Sequence, residues 1–485
     1  MFRTGAPVVT TILTLFLTGN LAALELEECR ISAGPAFPGI KARCGTMLRS
    51  ENPADPGSPD IELAIAVVPA LSLEPAPDPF VPLAGGPGGS AIEFYAGFSH
   101  AFEHVRRNRD ILLVDQRGTG SSSQMACDFG DDVVEGQFSA EQILQLTREC
   151  LAALPHDPRY FTTSIAVTDL EAVRQALGYP QLNLYGVSYG TRVAQHFAKR
   201  HPESVRSIVL DGVVPPQLPL GPEIATEAQL ALDNILLRCH QDEACDARFP
   251  NLQQSFLDVR AQLEKETVVV DLTDPVTGRR QLVDFGSGEL AGAIRLLAYN
   301  SQSIAIVPLL IHEAANGNFE PLAAQFHMIA AEMADALSMG MHNAVMCSED
   351  APFYDRGTID LEALEASYIG IMQLDAIEAM CSLWPAGPVD DDFREPLATD
   401  IPVLLLSGEV DPITPPRYAT LAMVNMRNAL SLTGIQQGHG QAGTGCVPRL
   451  ISEFVTESSP ADLDRECMDR SFVMPFFLDF SGPAP

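Results

Sequence analysis

Five residues, Gly186-Val187-Ser188-Tyr189-Gly190, constrain the fold of this chain more than any other stretch. They fit G-x-S-x-G. The apolar run Leu182-Asn183-Leu184-Tyr185 precedes them, and helix-forming residues follow from 191 to 200. A serine on so tight a strand-to-helix turn projects its hydroxyl above the edge of a sheet. The flanking glycines are needed because neighbouring backbones come too near for a Cβ. The helix N-terminus adds partial positive charge where an oxyanion would form. Ser188 is therefore the candidate nucleophile.

The surrounding rhythm supplies the sheet that this turn needs. Residues 61–71, 80–83, 110–115, 182–185 and 205–210 read as short apolar strands. Helical spacing covers 168–177, with Thr168 as its expected N-cap. Strands alternating with helices argue for a parallel sheet covered on both faces. From about 215 to 396 the rhythm stops. That stretch is mostly helical, for instance at 289–298 and 322–339, with one hairpin pairing 267–272 with 281–285. Alternation resumes at 401–406. The expected organisation is a leader at 1–23, a first sheet portion at 24–215, a helical cap at 216–396 and a second sheet portion at 397–485.

A serine at its ordinary pKa needs a base, and the base needs an acid to orient it. In this topology the chain order is serine, acid, histidine. Of ten histidines, His439 in Gln437-Gly438-His439-Gly440 has the expected place and loop. Asp411 follows the strand at 401–406, and Pro412 and Thr414 stand ready to fix its turn. Glu409, two residues earlier, is the rival acid. The glycine-rich stretch Leu83-Ala84-Gly85-Gly86-Pro87-Gly88-Gly89-Ser90 follows an earlier strand. Its place suits an oxyanion hole built from the Tyr189 N–H and a second N–H. Pro87 has no N–H to give, so the donor is Gly86 or Gly85, with Gly86 preferred. A phosphate cradle would want a nearby lysine, and none lies between Lys41 and Lys199.

The formal charge of −33 argues against nucleic acid or an anionic membrane surface as partner. Arg3, the apolar run 8–17 and the small residues at 21–23 read as an export leader, so the mature chain is expected to be periplasmic or secreted. Ten cysteines, none in a CxxC pair, fit an oxidising compartment and not a zinc site. Taken in chain order they would form five local bridges. No metal and no cofactor is expected.

The set LAGGPGGS, DILLVDQRGTGSS, GVSYGT, SGEVDPITP and GHG resembles the α/β-hydrolase branch of exported proline iminopeptidases and tripeptidyl aminopeptidases. The resemblance implies an α/β-hydrolase fold: a mostly parallel eight-stranded sheet with a large, mainly helical cap. It also implies Ser188, Asp411 and His439 as the catalytic triad, with release of residues from peptides bearing a free amino terminus. Proline-specific members begin the glycine loop with His, where this chain has Ala84. Tripeptidyl members resemble it further in the cap stretch Cys347-Ser348-Glu349-Asp350 and in the late pair Cys446 and Cys467. Acidic side chains would receive the substrate amine, and Glu349, Asp350 and Glu409 are the expected ones. A carboxylesterase is the alternative, since the same triad cleaves esters.

Overall fold

The computed structural model describes residues 24–34, 38–127, 139–273, 278–470 and 473–483. The expected leader and the hairpin turn at 274–277 lie outside the described residues.

Nine strands form the main sheet: β1 (Glu27–Ile31), β2 (Ile40–Ser50), β3 (Asp60–Val68), β4 (Phe80–Leu83), β5 (Ile111–Val114), β6 (Leu182–Val187), β7 (Val205–Asp211), and, after an excursion, β10 (Val403–Gly408) and β11 (Ala429–Gly434). The excursion contains the small hairpin of β8 (Val268–Thr273) and β9 (Arg280–Phe285). The spatial order is β1-β2-β3-β5-β4-β6-β7-β10-β11. The first four members pair antiparallel, and from β5 onward every pairing is parallel.

The sheet therefore has one strand more than the eight expected; the sequence reading named neither β2 and β11 nor the edge strand β1. Glu27, Glu28 and Arg30 leave this edge strand almost no apolar alternation to read. A disulfide between Cys29 and Cys44 ties it to β2. The helix expected at 168–177 begins earlier, at Thr163, with Thr162 in the N-cap position. Thr168 lies inside it, its hydroxyl donating back to the Ile165 carbonyl. The run Ile165-Ala166-Val167 is buried on more than one side of the helix and hides the 3.6-residue period.

Successive strand residues feed opposite faces, as the pleat requires. Val81, Leu112, Leu184, Ile208 and Leu405 pack on one side, beneath Val193 and Phe197 of the helix Tyr189–Arg200. Phe80, Leu113, Tyr185, Val209 and Leu404 pack on the other, against Phe102 and Phe454. Each such side chain, removed fully from water, contributes roughly 1.5–3 kcal/mol before the cost of ordering it. Between β7 and β10 the chain is helical apart from the β8–β9 hairpin. This cap has a core of its own, including Leu232, Phe249, Phe256, Val283, Ile294 and Leu310.

The cysteines pair in chain order: Cys29–Cys44, Cys127–Cys150, Cys239–Cys245, Cys347–Cys381 and Cys446–Cys467. The parallel strands end at one edge of the sheet in near alignment. Leu83 pairs with Gly186, Val187 with Asp211, and Gly408 with Gly434. Every loop that carries a candidate site residue of the sheet portions leaves from that edge.

Two buried charges brace the loop after β5. Asp115 accepts from Ser90 Oγ at 2.7 Å and from the Ile92 and Ser121 N–H groups, fixing the start of the helix Ala91–Phe98. Arg117 is fully buried and grips Asp169 with two nitrogens, at 2.7 and 3.0 Å, while donating to the Glu51 and Tyr160 carbonyls. Removing one partner of such a pair leaves a buried, uncompensated charge. Arg117→Ala should lower unfolding free energy in urea by about 3–5 kcal/mol. A loss within experimental error would show that the brace carries no stability.

Candidate active site

Ser188 sits between β6 and the helix Tyr189–Arg200 with φ 55° and ψ −126°, a conformation that side chains rarely adopt. The clamp around it explains why the strain persists. A Cβ on Gly190 would fall 2.1 Å from the Leu83 carbonyl oxygen, and one on Gly186 would fall 2.3 Å from that of Gly190. The Ser188 N–H donates to the Asp211 carbonyl at 2.9 Å, and its own carbonyl accepts from the Thr191 N–H and hydroxyl. As the first helical residue, Tyr189 has an N–H with no acceptor inside its helix. The glycine loop closes in from β4: a Cβ on Gly85 would lie 2.9 Å from that of Ser188. The Gly85–Gly86 peptide thus lies beside the serine, with Gly86 at φ 113°.

His439 and Asp411 meet across the ends of β10 and β11. His439 Nδ1 lies 2.8 Å from Asp411 Oδ2. Asp411 is otherwise held by the Ile413 and Thr414 N–H groups and by the Thr414 hydroxyl. Burial pushes its pKa up, but the charge and hydrogen bond of His439 and these N–H donors more than offset this, so it stays below the ordinary carboxylate range. For His439, burial opposes the charged form, and the Asp411 charge and hydrogen bond outweigh it, raising the imidazole above its ordinary value. With the Nδ1 proton directed to Asp411, Nε2 keeps its lone pair for a nucleophile's proton. The ring is reached from the serine through β7: a Cβ on Gly212, next after Asp211, would lie 2.8 Å from His439 Cε1.

Glu409 does not join this pair. Its side chain is exposed and accepts from the N–H and the side-chain amide of Gln436. Glu349 and Asp350 are further from their expected role, because both are completely buried. Asp350 accepts from Arg192 Nη1 at 2.9 Å through both oxygens, and from the Leu220 N–H. Glu349 accepts from the Thr163 N–H at 2.6 Å and from its hydroxyl at 2.9 Å. Every oxygen of the two already accepts a hydrogen bond and neither side chain is exposed, so the structure gives both a structural role in place of the expected amine binding. Their partners lie far away in sequence, which is why local reading took them for acids open to a substrate amine.

Sequence reasoning also passed over Asp211. It is fully buried at the end of β7, accepting from the Gln441 and Ala442 N–H groups and from the Tyr185 hydroxyl. Burial raises its pKa to about 6 despite those donors. Through its carbonyl it holds Ser188, and through its carboxylate it holds the loop of His439. Its only sequence signal was an acid closing an apolar strand directly before a glycine.

Burial likewise raises Glu349 to about 7, against the pull of Arg192 and Thr163. The folded chain therefore keeps a proton that the unfolded chain releases near its ordinary value of 4.5. Between those values the folded state binds more protons, so this group lowers stability as pH rises. Gln can accept from the Thr163 N–H in the same place without ever ionising. The melting-temperature difference, Glu349→Gln minus wild type, should grow in favour of the variant from pH 4.5 to pH 8. A difference independent of pH would refute the assignment.

A family model described as alpha/beta hydrolase fold matches residues 78–263, and one described as TAP-like protein matches 367–467. The first span holds the glycine loop and Ser188, and the second holds Asp411 and His439. The serine protease Hip1 of Mycobacterium tuberculosis is 25% identical over 432 residues, 79% of each chain. The tripeptidyl aminopeptidase of Streptomyces lividans is 31% identical over 148 residues, 27% of this chain and 28% of that one. The Escherichia coli protein YuaR is 31% identical over 224 residues, and the match spans 43% of this chain and 44% of YuaR. The fold is that of the α/β-hydrolases, residues 367–467 match a TAP-like model, and the chain is a serine hydrolase related to serine peptidases.

Proposed function

We propose that this chain is an exported peptidase that cleaves residues or short peptides from free amino termini through an acyl-enzyme intermediate. The observation that carries the reading is the His439–Asp411 pair, at 2.8 Å, on the loop that Asp211 ties to the strained Ser188 turn. Ser188 Oγ attacks the scissile carbonyl while His439 Nε2 takes its proton. His439 then gives that proton to the leaving amine, and a water molecule repeats the sequence on the ester. Asp411 holds the ring and stabilises the imidazolium. The Tyr189 N–H, with that of Gly86, receives the developing oxyanion. None of these steps draws on a metal or cofactor. Five disulfides support an oxidising compartment, and among the described residues no helix is long and apolar enough to cross a membrane.

A carboxylesterase is the second reading. The burial of Glu349 and Asp350 favours it, because it removes two of the three acids expected to meet a substrate amine. Peptidyl anilides with free and acetylated amino termini, assayed beside simple acyl esters, separate the two. An aminopeptidase should lose turnover on acetylation, whereas undiminished hydrolysis of acetylated peptides or confinement to esters would overturn the reading.

Ser188→Ala should reduce kcat by about 10⁴–10⁶-fold on any substrate, and Asp411→Asn by about 10⁴-fold. Because Asp411 raises the His439 pKa, the acid limb of kcat/KM should lie above the ordinary imidazole value. Residual Asp411→Asn activity should show that limb displaced to lower pH. An unshifted limb would separate Asp411 from the titrating base.

A further inference from the structure

The last turn of the cap helix Ser287–Leu297 lies directly against the His439 loop. The His439 N–H donates to the Tyr299 carbonyl at 2.6 Å, and the two rings meet edge to face at 5.3 Å. A Cβ on Gly438 would fall 2.4 Å from the Tyr299 carbonyl oxygen and 2.7 Å from that of Ala298. One helical turn before Tyr299 stands Arg295, half-buried. Its Nε is buried with no hydrogen-bond partner, and no carboxylate among the described residues pairs with it.

The charge of Arg295 reaches two imidazole rings, and also the buried Tyr368 phenol of the cap core. Burial is the larger influence on both rings, and in each case Arg295 adds to it in opposing protonation. One ring is His439. The other is His342, whose Nδ1 lies 3.1 Å from the Pro87 carbonyl oxygen of the glycine loop. Arg295 is thus within electrostatic reach of the proposed base and of the ring that meets the glycine loop. In a chain of net charge −33 an unpaired arginine in that position stands out. Nearby buried Arg192 is matched by Asp350, and Arg417 by Glu223 and Glu227. A planar guanidinium is the side chain best suited to hold a carboxylate through paired hydrogen bonds.

We propose that Arg295 anchors a carboxylate of the substrate, either an acidic side chain or the C-terminal carboxylate of a short peptide, in the crevice between His439 and the glycine loop. This rests on the hydrolase reading of Ser188 and His439 and adds a substrate class to it. Anchoring by the terminal carboxylate sets an upper limit on peptide length. Anchoring by a side chain selects sequence instead.

Three matched pairs test it on the full chain: one peptide as free acid and as amide, one peptide with Glu and with Gln beside the scissile bond, and an aryl ester with an ω-carboxylate and with an ω-amide. Wild type should favour the anionic member of at least one pair by about tenfold or more in kcat/KM. The pair that responds identifies the source of the carboxylate. Arg295→Gln should reduce that ratio to within about twofold, Arg295→Lys should restore part of it, and Arg295→Glu should invert it. A merely structural arginine would change both members alike. No preference in any wild-type pair, or a preference that survives Arg295→Glu, overturns the proposal. The ester pair keeps the two readings apart, since turnover of esters without turnover of peptides would sink the peptidase reading while still reporting the anion preference.

Discussion

The site depends on how closely three backbones approach at the turn after β6. Ser188 is held at φ 55° only because Gly186 and Gly190 let the turn press against itself and against the end of β4. A side chain at Gly190 would meet the Leu83 carbonyl well inside contact distance. The same closeness delivers the glycine loop to the serine, because that loop begins one residue after Leu83. The proposed nucleophile and the proposed oxyanion loop are thus placed by one packing constraint, and the strain at Ser188 is sustained by the sheet on either side of it. Asp211 extends the arrangement sideways. Its carbonyl takes the Ser188 N–H, and its carboxylate takes two N–H groups just beyond His439. One residue on the neighbouring strand therefore sets the distance between the nucleophile's turn and the base's loop.

What could be read from the chain beforehand was whatever is written in local backbone needs. A serine between two glycines, a proline-interrupted glycine run, and a histidine flanked by glycines all announce conformations that few residues adopt. Asp411 was distinguishable from Glu409 because Thr414 stands where its hydroxyl and N–H reach back to the Asp411 carboxylate. Strands β4 to β7 were legible because residues buried on both faces make unbroken apolar runs. What failed were side chains whose role is decided by partners far away in sequence. Glu349 and Asp350 look like a solvated acidic loop until Arg192 and Thr163 are brought to them from the first sheet portion. Arg295 carried no local signal at all. Strand β1 was illegible for the opposite reason: it lies at an edge, with a disulfide supplying what its side chains do not.

The buried ionic cluster also shows how the cap is joined to the sheet. Arg192 comes from the helix that follows Ser188, Asp350 from the cap, and Thr163 from the helix Thr163–Leu177. Such a cluster is poor evidence for stability in itself, since apolar residues of equal volume often do as well. Its value is directional. Charges and hydrogen bonds have one satisfactory arrangement, so the cap is seated in a single orientation over the site, where an apolar contact would tolerate sliding.

That orientation reaches both halves of the proposed oxyanion hole. On one side Glu349 accepts from the Thr163 hydroxyl, which lies 2.5 Å from the hydroxyl of Tyr189, the residue after the nucleophile. On the other, the cap segment around Leu337 runs along the glycine loop: Leu337 bridges to Gly89, the Ser338 N–H donates to the Gly88 carbonyl, and His342 meets the Pro87 carbonyl. Preorganised donors stabilise charge in the transition state because they need not reorient when it forms. In this chain the preorganisation comes from the cap as well as from the sheet. A change that reshapes the cap would therefore also disturb the segments that carry the proposed oxyanion donors, which couples specificity to rate under the proposed mechanism.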